Sequence, residues 1–134
     1  MERPVTVVIV DGNPGTRAGL ARRLMQVPGI SVVAEGRDEE EAVRVVGERR
    51  PDVVVADVPR MAPDAAAFLG RIAQAAPEAG IVVLTAYLTE RARSDLMRAG
   101  ARALLLKEID SGALTRAIET VAGRRLGEER RTEV

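Results

Sequence analysis

The stretch Pro51-Asp52-Val53-Val54-Val55-Ala56-Asp57 contains a short apolar run that ends directly in an acidic residue. A run of β-branched residues that is too short for a helix and apolar on both faces is typical of a central strand in a parallel sheet. In open α/β sheets, ligands bind outside the carboxyl ends of the strands. The stretch therefore predicts both a parallel sheet and a functional site at its edge.

Similar short apolar runs recur along the chain. They span Val5–Val10, Ile30–Ala34, Ile81–Leu84 and Ala103–Leu106, and each is followed by a polar link and a segment with helical periodicity. Together with Val53–Ala56 they predict five βα units. Because right-handed crossovers can place helices on both faces of such a sheet, we expect an α/β fold, a three-layer (βα)5 doubly wound parallel sheet.

Each predicted helix begins near a residue type that commonly caps helices. The candidate caps are Asn13 before Pro14, Asp38 in a capping-box spacing with Glu41, then Asp64, Thr89 and Asp110. The apolar stripes expected to face the core contain Leu20, Leu24 and Val27; Ala42, Val45 and Val46; Phe68, Leu69 and Ile72; Leu96 and Met97; and Leu114, Ile118 and Val121. We expect one domain over residues 1–123 and a charged tail or linker stub over 124–134.

Composition narrows the possible chemistry. The 134 residues include no cysteine and no histidine, which excludes disulfides, thiolate metal sites and catalysis by an imidazole base. The 20 acidic and 20 basic side chains balance, so the whole chain has no net field that attracts nucleic acid or anionic membranes. Carboxylates, hydroxyls, lysine and the backbone remain as the groups that can act.

Other features bear on location and partners. The apolar run after the first four residues is too short for a signal-peptide core or a membrane span, which predicts a cytoplasmic protein without a membrane partner. Phe68 and Tyr87 are the only aromatic residues, and no helix-turn-helix pattern follows the last helix. We therefore expect no direct nucleic-acid binding by these residues.

Four side chains with related chemistry follow the predicted strands. Asp11 follows the first strand, Asp57 the third, Thr85 the fourth and Lys107 the fifth. Carboxylate oxygens suit Mg²⁺, whereas a hydroxyl and an ammonium suit the oxygens of a transferred phosphoryl group. An aspartate can also serve as a covalent acceptor. The strand ends thus predict a site that handles Mg²⁺ and a phosphoryl group.

The chain resembles the receiver domains of two-component response regulators, in particular those of LuxR/NarL-type regulators. The matching stretches are Val8-Ile9-Val10-Asp11 with Asn13-Pro14, Pro51 to Asp57, Val83-Leu84-Thr85-Ala86, Arg98-Ala99-Gly100-Ala101 and Leu105-Leu106-Lys107-Glu108. They occur in the order of that family and cover nearly the whole chain. The resemblance implies the CheY- and flavodoxin-like strand order 2-1-3-4-5.

The same resemblance implies a role for each site residue. Asp57 corresponds to the phosphoacceptor, and Mg²⁺ is expected to bind Asp11, Asp57 and the backbone carbonyl of Pro59. Thr85 corresponds to the switch hydroxyl and Lys107 to the ammonium that pairs with the phosphoryl group. The protein is then a signalling domain and not an enzyme, with at most self-phosphorylation and self-dephosphorylation.

The resemblance also implies partners. A histidine kinase is the expected phosphodonor. A homodimer is expected through the surface of the fourth helix, fifth strand and fifth helix, or through the first and fifth helices. The family pattern is compatible with a LuxR-type DNA-binding domain that follows in a longer parent chain.

Two positions depart from the family pattern. Gly12 stands where the family has a second acid, so one carboxylate is lost and Mg²⁺ affinity is expected to fall. Leu104 stands where an aromatic ring usually switches. These departures leave an alternative open, in which the chain is a degenerate receiver that acts as a phosphorylation-independent interaction or dimerisation module.

Overall fold

A computed structural model describes residues 3–58, 62–86, 89–107 and 110–123, excepting the side chains of residues 62–64. Strands and helices alternate along these ranges. The strands are β1 (Val5–Val10), β2 (Ile30–Gly36), β3 (Val53–Asp57), β4 (Gly80–Thr85) and β5 (Ala101–Leu106). The helices are α1 (Pro14–Met25), α2 (Glu39–Arg49), α3 (Ala62–Ala75), α4 (Glu90–Ala99) and α5 (Ser111–Ala122). The predicted tail, residues 124–134, lies outside the described residues.

The strands form one parallel sheet in the order β2-β1-β3-β4-β5, which confirms the predicted order. The pairing aligns the carboxyl ends of the strands. Val10 of β1 lies opposite Ala56 of β3, and Thr85 of β4 lies opposite Leu106 of β5. The residues that follow these pairs therefore meet at one edge of the sheet. Within the described ranges, no helix has the length and apolar character needed to cross a membrane.

Alternate strand residues contribute to two apolar layers, one on each face of the sheet. Val8, Val54 and Val83 pack with buried side chains of α2, α3 and α4 on one face. On the other face, Ile9 and Val55 pack with α1 and α5. Both faces of the central strands are thus buried, as their continuous apolar sequences predict. The three-layer architecture is confirmed.

All the strands except β1 are longer than predicted, and two of them include a glycine at one end. β2 extends to Gly36 and β4 begins at Gly80, positions that sequence reasoning assigned to links. A Cβ built on Gly80 would lie 1.9 Å from Val121 Cγ1 of α5, and one on Gly36 would lie 2.8 Å from the Cα of Ala42 in α2. Glycine stands at these positions because the helices approach the strands too closely for a side chain.

Four of the five predicted caps are confirmed. The side chains of Asn13, Asp38, Thr89 and Asp110 each accept a hydrogen bond from a backbone N–H of the first helical turn. The prediction for Asp64 was wrong, because α3 already begins at Ala62. Alanine is the strongest helix former, and the alanine-rich sequence here supports a helix that starts before the candidate cap.

Val27 packs against the core as predicted, although it lies beyond the end of α1 at Met25, because Pro28 disfavours a helical conformation for the residue before it. One predicted core position was wrong. Met97 has 42% of its surface exposed, whereas Leu96 is buried. The helix α4 is short and polar, and its buried stripe is therefore narrower than the sequence pattern suggested.

An ion pair fixes the amino-terminal end of the sheet. The Arg3 guanidinium donates to both carboxylate oxygens of Asp52, at 2.8 and 2.9 Å. The backbone N–H and the hydroxyl of Thr6 donate to Asp52 Oδ2. These bonds, chiefly those from Arg3, lower the pKa of Asp52 to about 2.

Gly80→Ala should lower the free energy of unfolding by about 1–3 kcal/mol, because the new methyl group would overlap Val121. Urea denaturation measures this change. In the double variant with Val121→Ala, the loss should be smaller than the sum of the two single losses. Gly70→Ala is the control, since a Cβ there meets nothing within 4 Å. Strict additivity of the double variant would contradict the proposed overlap.

Asp52→Asn should destabilise the protein at pH 7 by about 1 kcal/mol, a figure reduced for the solvent exposure of Arg3. Because folding lowers the pKa of Asp52, its ionised form stabilises the protein above the unfolded pKa of 3.8, and this is lost as the pH falls toward about 2. The difference in Tm between variant and wild type should therefore shrink on acidification. A difference that does not change from pH 7 to pH 2 would contradict this.

Candidate functional site

The described site residues lie together at the carboxyl edge of the sheet. Asp11 follows β1, Asp57 ends β3, Thr85 ends β4 and Lys107 follows β5. The backbone N–H of Lys107 donates to the carbonyl oxygen of Thr85 at 2.9 Å. Pro59 lies outside the described residues, so its predicted carbonyl ligand remains a prediction.

Asp57 and Lys107 are in direct contact. Lys107 Nζ lies 2.8 Å from Asp57 Oδ1, and the Asp57 side chain is only 11% exposed whereas that of Lys107 is 41% exposed. The ammonium and Oδ1 form an ion pair, and no further donor to this oxygen lies among the described residues. Lys107 is the only lysine of the chain, and its flexible stem can redirect the charge to another anion nearby.

The pKa of Asp57 is raised above its ordinary value. Burial is the largest cause, the contact with Lys107 opposes it, and the negative charge of Asp11 raises the pKa further. A raised pKa means that the pocket disfavours the second negative charge. A cation between the two carboxylates would relieve this repulsion.

Asp11 is buried and is held by two hydrogen bonds. It is 1% exposed, its Oδ1 accepts a hydrogen bond from the Asn13 N–H at 2.8 Å, and its own N–H donates to the Gly36 carbonyl at 3.0 Å. Its Oδ2 is buried and has no hydrogen-bond partner among the described residues. Unpartnered buried polar atoms are costly and rare, so this oxygen fits a ligand that the protein itself does not supply.

The two buried carboxylates fit a hard divalent cation such as Mg²⁺, which prefers oxygen ligands. The ligand set is small. No group of three acidic, histidine or cysteine side chains suited to a metal occurs within the part of the chain that the structure describes. The carboxylates that are present thus match Mg²⁺ in kind and fall short of the usual number.

Gly12 is not required by the backbone. Its φ is not among the positive values, and a Cβ built on it would lie 3.6 Å from the Arg37 carbonyl oxygen, an ordinary van der Waals distance. A side chain at this position would therefore fit without strain. The loop conformation could therefore carry an acidic side chain at this position.

Leu104 is half-buried on β5 and packs against the apolar layer that contains α2, α3 and α4. The side chain at this position is thus an aliphatic contact with the core. Any conformational change at this position must involve repacking of that contact.

Sequence reasoning missed Arg17, which contacts the site from α1. Its Nη1 donates to the Asp11 carbonyl oxygen at 2.7 Å, and its Nε donates to Glu35 Oε1 at 3.1 Å. The side chain is only 17% exposed. The one sequence signal was its place four residues after the cap Asn13, which puts it in the helical turn nearest the site.

Comparison with known proteins shows the family of the chain. The response regulator receiver domain family matches residues 7–119. The chain belongs to this family. As a receiver domain of two-component response regulators, it is a signalling domain and not a classical enzyme.

Two relatives and one solved structure illustrate this similarity. The chain is 32% identical over 121 residues to the transcriptional regulatory protein DegU of Brevibacillus brevis, covering 90% of this chain and 51% of that protein. It is 33% identical over 127 residues to the transcriptional activator DevR/DosR of Mycobacterium tuberculosis, covering 94% and 58%. A LuxR-family two-component response regulator from Aurantimonas sp. SI85-9A1 superimposes with a TM-score of 0.80 at 33% identity, covering 91% and 88%. The receiver thus spans little more than half the length of the two regulators compared by sequence.

Asp57→Asn should raise Tm at pH 7 in the presence of EDTA, because it removes a buried charge beside Asp11. Since folding raises the pKa of Asp57, the wild type loses stability as the pH rises above the unfolded value of 3.8 through the higher folded value. The advantage of the variant should therefore grow from pH 4 to pH 7. Thermal denaturation at several pH values measures it.

Addition of Mg²⁺ supplies the control for this prediction. It should raise Tm of the wild type and of Asp95→Asn, a variant of an acid in α4, and leave Asp57→Asn unchanged. A variant less stable than wild type at pH 7 in EDTA would show that the contact with Lys107 outweighs burial.

Proposed function

We propose that Asp57 accepts a phosphoryl group from a histidine kinase or a small phosphodonor. The observation that carries this proposal is the pairing of the buried Asp57 with Lys107 beside a second carboxylate that has an open oxygen. A carboxylate oxygen is supplied as nucleophile, and the ammonium can neutralise charge on the incoming group.

In the proposed reaction, a carboxylate oxygen of Asp57 attacks phosphorus and the bond from phosphorus to the donor atom breaks. The product is an acyl phosphate at Asp57. The attack requires the ionised carboxylate, and the contact with Lys107 favours that form against the effect of burial. Lys107 then follows the charge from the carboxylate to the phosphoryl oxygens.

Asp11, Asp57 and the carbonyl of Pro59 would hold Mg²⁺ in this reaction. The ion supplies charge neutralisation for the phosphoryl oxygens when it is bound. The two carboxylates lie at the ends of adjacent strands, so their separation is set by the sheet and does not depend on a mobile loop.

Phosphorylation is proposed to switch a protein surface. Thr85 ends β4, and its carbonyl is bonded to the N–H of Lys107 at the end of β5. A phosphoryl group that draws Thr85 and Lys107 inward would shift the strand ends that lead to α4 and α5. The surface of α4, β5 and α5, or that of α1 and α5, is the proposed contact for a second copy of the domain.

The regulators compared above extend well beyond the receiver. We therefore propose that residues 1–123 form the receiver, that residues 124–134 lead to a LuxR-type DNA-binding domain in a longer cytoplasmic chain, and that transcription is the regulated output. In this arrangement the receiver itself does not contact DNA.

Gly12 favours a second candidate, a receiver that acts without phosphorylation. With fewer carboxylates the cation is held less tightly, and the alternative domain would dimerise or bind partners constitutively. The two candidates differ in whether the pocket binds the cation and reacts.

Incubation with acetyl phosphate and Mg²⁺ should add the mass of one phosphoryl group to the intact protein, because the acyl phosphate at Asp57 is covalent. Asp57→Asn should abolish the adduct, and Asp95→Asn should keep it. Intact-mass spectrometry at neutral pH measures this. Absence of any Asp57-dependent adduct, in parallel with a receiver that is labelled, would contradict the proposal.

Gly12→Asp separates the two candidates. In one outcome, the wild type gives no adduct and binds no Mg²⁺, whereas Gly12→Asp forms the adduct and binds Mg²⁺. The glycine at position 12 then accounts for the inactive pocket, and the phosphorylation-independent function is supported. If both proteins are labelled and differ only in the Mg²⁺ concentration required, the receiver is active.

A further inference from the structure

Arg17 connects three elements around the acidic pocket. It lies in the first half of α1, contacts Glu35 near the end of β2, and donates to the carbonyl of Asp11 after β1. The 2.7 Å bond to that carbonyl is short, as charge-assisted hydrogen bonds are. Because the Arg17 side chain is largely buried here, it mainly contacts the loop beside the pocket and not the solvent.

The carbonyl that Arg17 holds belongs to the peptide between Asp11 and Gly12. Glycine leaves the backbone more conformational freedom than any other residue, so this peptide plane is weakly restrained by its own sequence. Other groups fix the N–H of Asp11 and its Oδ1. The guanidinium supplies the remaining restraint, and only Oδ2 is left without a described partner.

We propose that Arg17 is a positioning residue for the cation site, which restrains the Asp11-Gly12 peptide and thereby aims Asp11 Oδ2 into the pocket. The inference rests on the Mg²⁺ site of the proposed function. Glu35 holds the guanidinium by accepting from Nε while Nη1 reaches Asp11. Lysine cannot replace this pair of contacts, because a single ammonium lacks the fixed spacing of the guanidinium donors.

Positioning and simple charge effects predict opposite signs. A positive guanidinium near the pocket repels a divalent cation, so an effect of charge alone would make the cation bind more tightly after Arg17→Gln. Positioning predicts weaker binding after Arg17→Gln and also after Arg17→Lys, which keeps the charge. Glu35→Gln keeps an oxygen acceptor for Nε and should have a smaller effect.

The test measures the affinity for Mn²⁺, as a probe of the Mg²⁺ site, by electron paramagnetic resonance of the free ion. Arg17→Gln and Arg17→Lys should each weaken binding by about tenfold, the scale found for residues that orient metal ligands. Arg22→Gln is the matched control, since Arg22 lies exposed on the same helix. All titrations are made well below the Tm of each variant, so that a loss of stability alone does not change the result.

A second variant tests the mechanism. Gly12→Ala restricts the backbone without adding a ligand, and its Cβ fits beside the Arg37 carbonyl. If Arg17 compensates for the freedom of Gly12, the loss caused by Arg17→Gln should be smaller in the Gly12→Ala background. Equal losses in the two backgrounds would overturn this role.

Unchanged or tighter Mn²⁺ binding by Arg17→Gln would overturn the inference. If the wild type binds no Mn²⁺, the proposed function fails, and the Arg17 variants are then compared in the Gly12→Asp background, where the acid is restored. Weaker binding there supports the positioning role independently of the activity of the natural pocket, and unchanged binding overturns it.

Discussion

The structure depends on the register of β1 against β3, which places two carboxylates beside each other at the edge of a buried sheet. Val10 lies opposite Ala56, so the residues that follow, Asp11 and Asp57, are neighbours. Both strands are covered by helices on both faces, which removes the water that would otherwise separate and screen the two charges. Burial and mutual repulsion then raise the pKa of Asp57, and Lys107 is drawn into contact.

Much of the fold could be predicted because parallel strands buried on both faces leave a distinctive sequence, a short run of valines between polar links. Four of the five helix caps were found from the sequence because each is a local contact between a side chain and its own helical turn. Two strand ends were missed because they depend on contacts between distant segments. Gly36 and Gly80 read as breaks in sequence, yet they lie in strands because α2 and α5 pack against them.

The site residues likewise divide into those that sequence position predicts and those that depend on contacts between distant segments. Strand order brings the residues after each strand to one edge, so Asp11, Asp57, Thr85 and Lys107 could be placed from sequence position alone. Arg17 could not, because its contacts with Asp11 and Glu35 depend on how α1 lies across the ends of β1 and β2. The pattern of a helix gives the direction of a side chain, whereas its partner depends on packing between helix and sheet.

The location of Asp57 does not by itself determine its reactivity, because the residue at position 12 affects how well the pocket can hold a cation. Compared with a pocket that carries an acid at position 12, a pocket with glycine has less repulsion between carboxylates without a cation, and it would offer a cation one ligand fewer. Both differences favour the metal-free pocket. The backbone leaves room for a side chain at position 12, since Gly12 has an ordinary conformation and a Cβ would fit there. The proposed restraint of the Asp11-Gly12 peptide by Arg17 would then matter more here than in a pocket with a third acid, because each of the fewer ligands would contribute a larger share of the cation's binding energy.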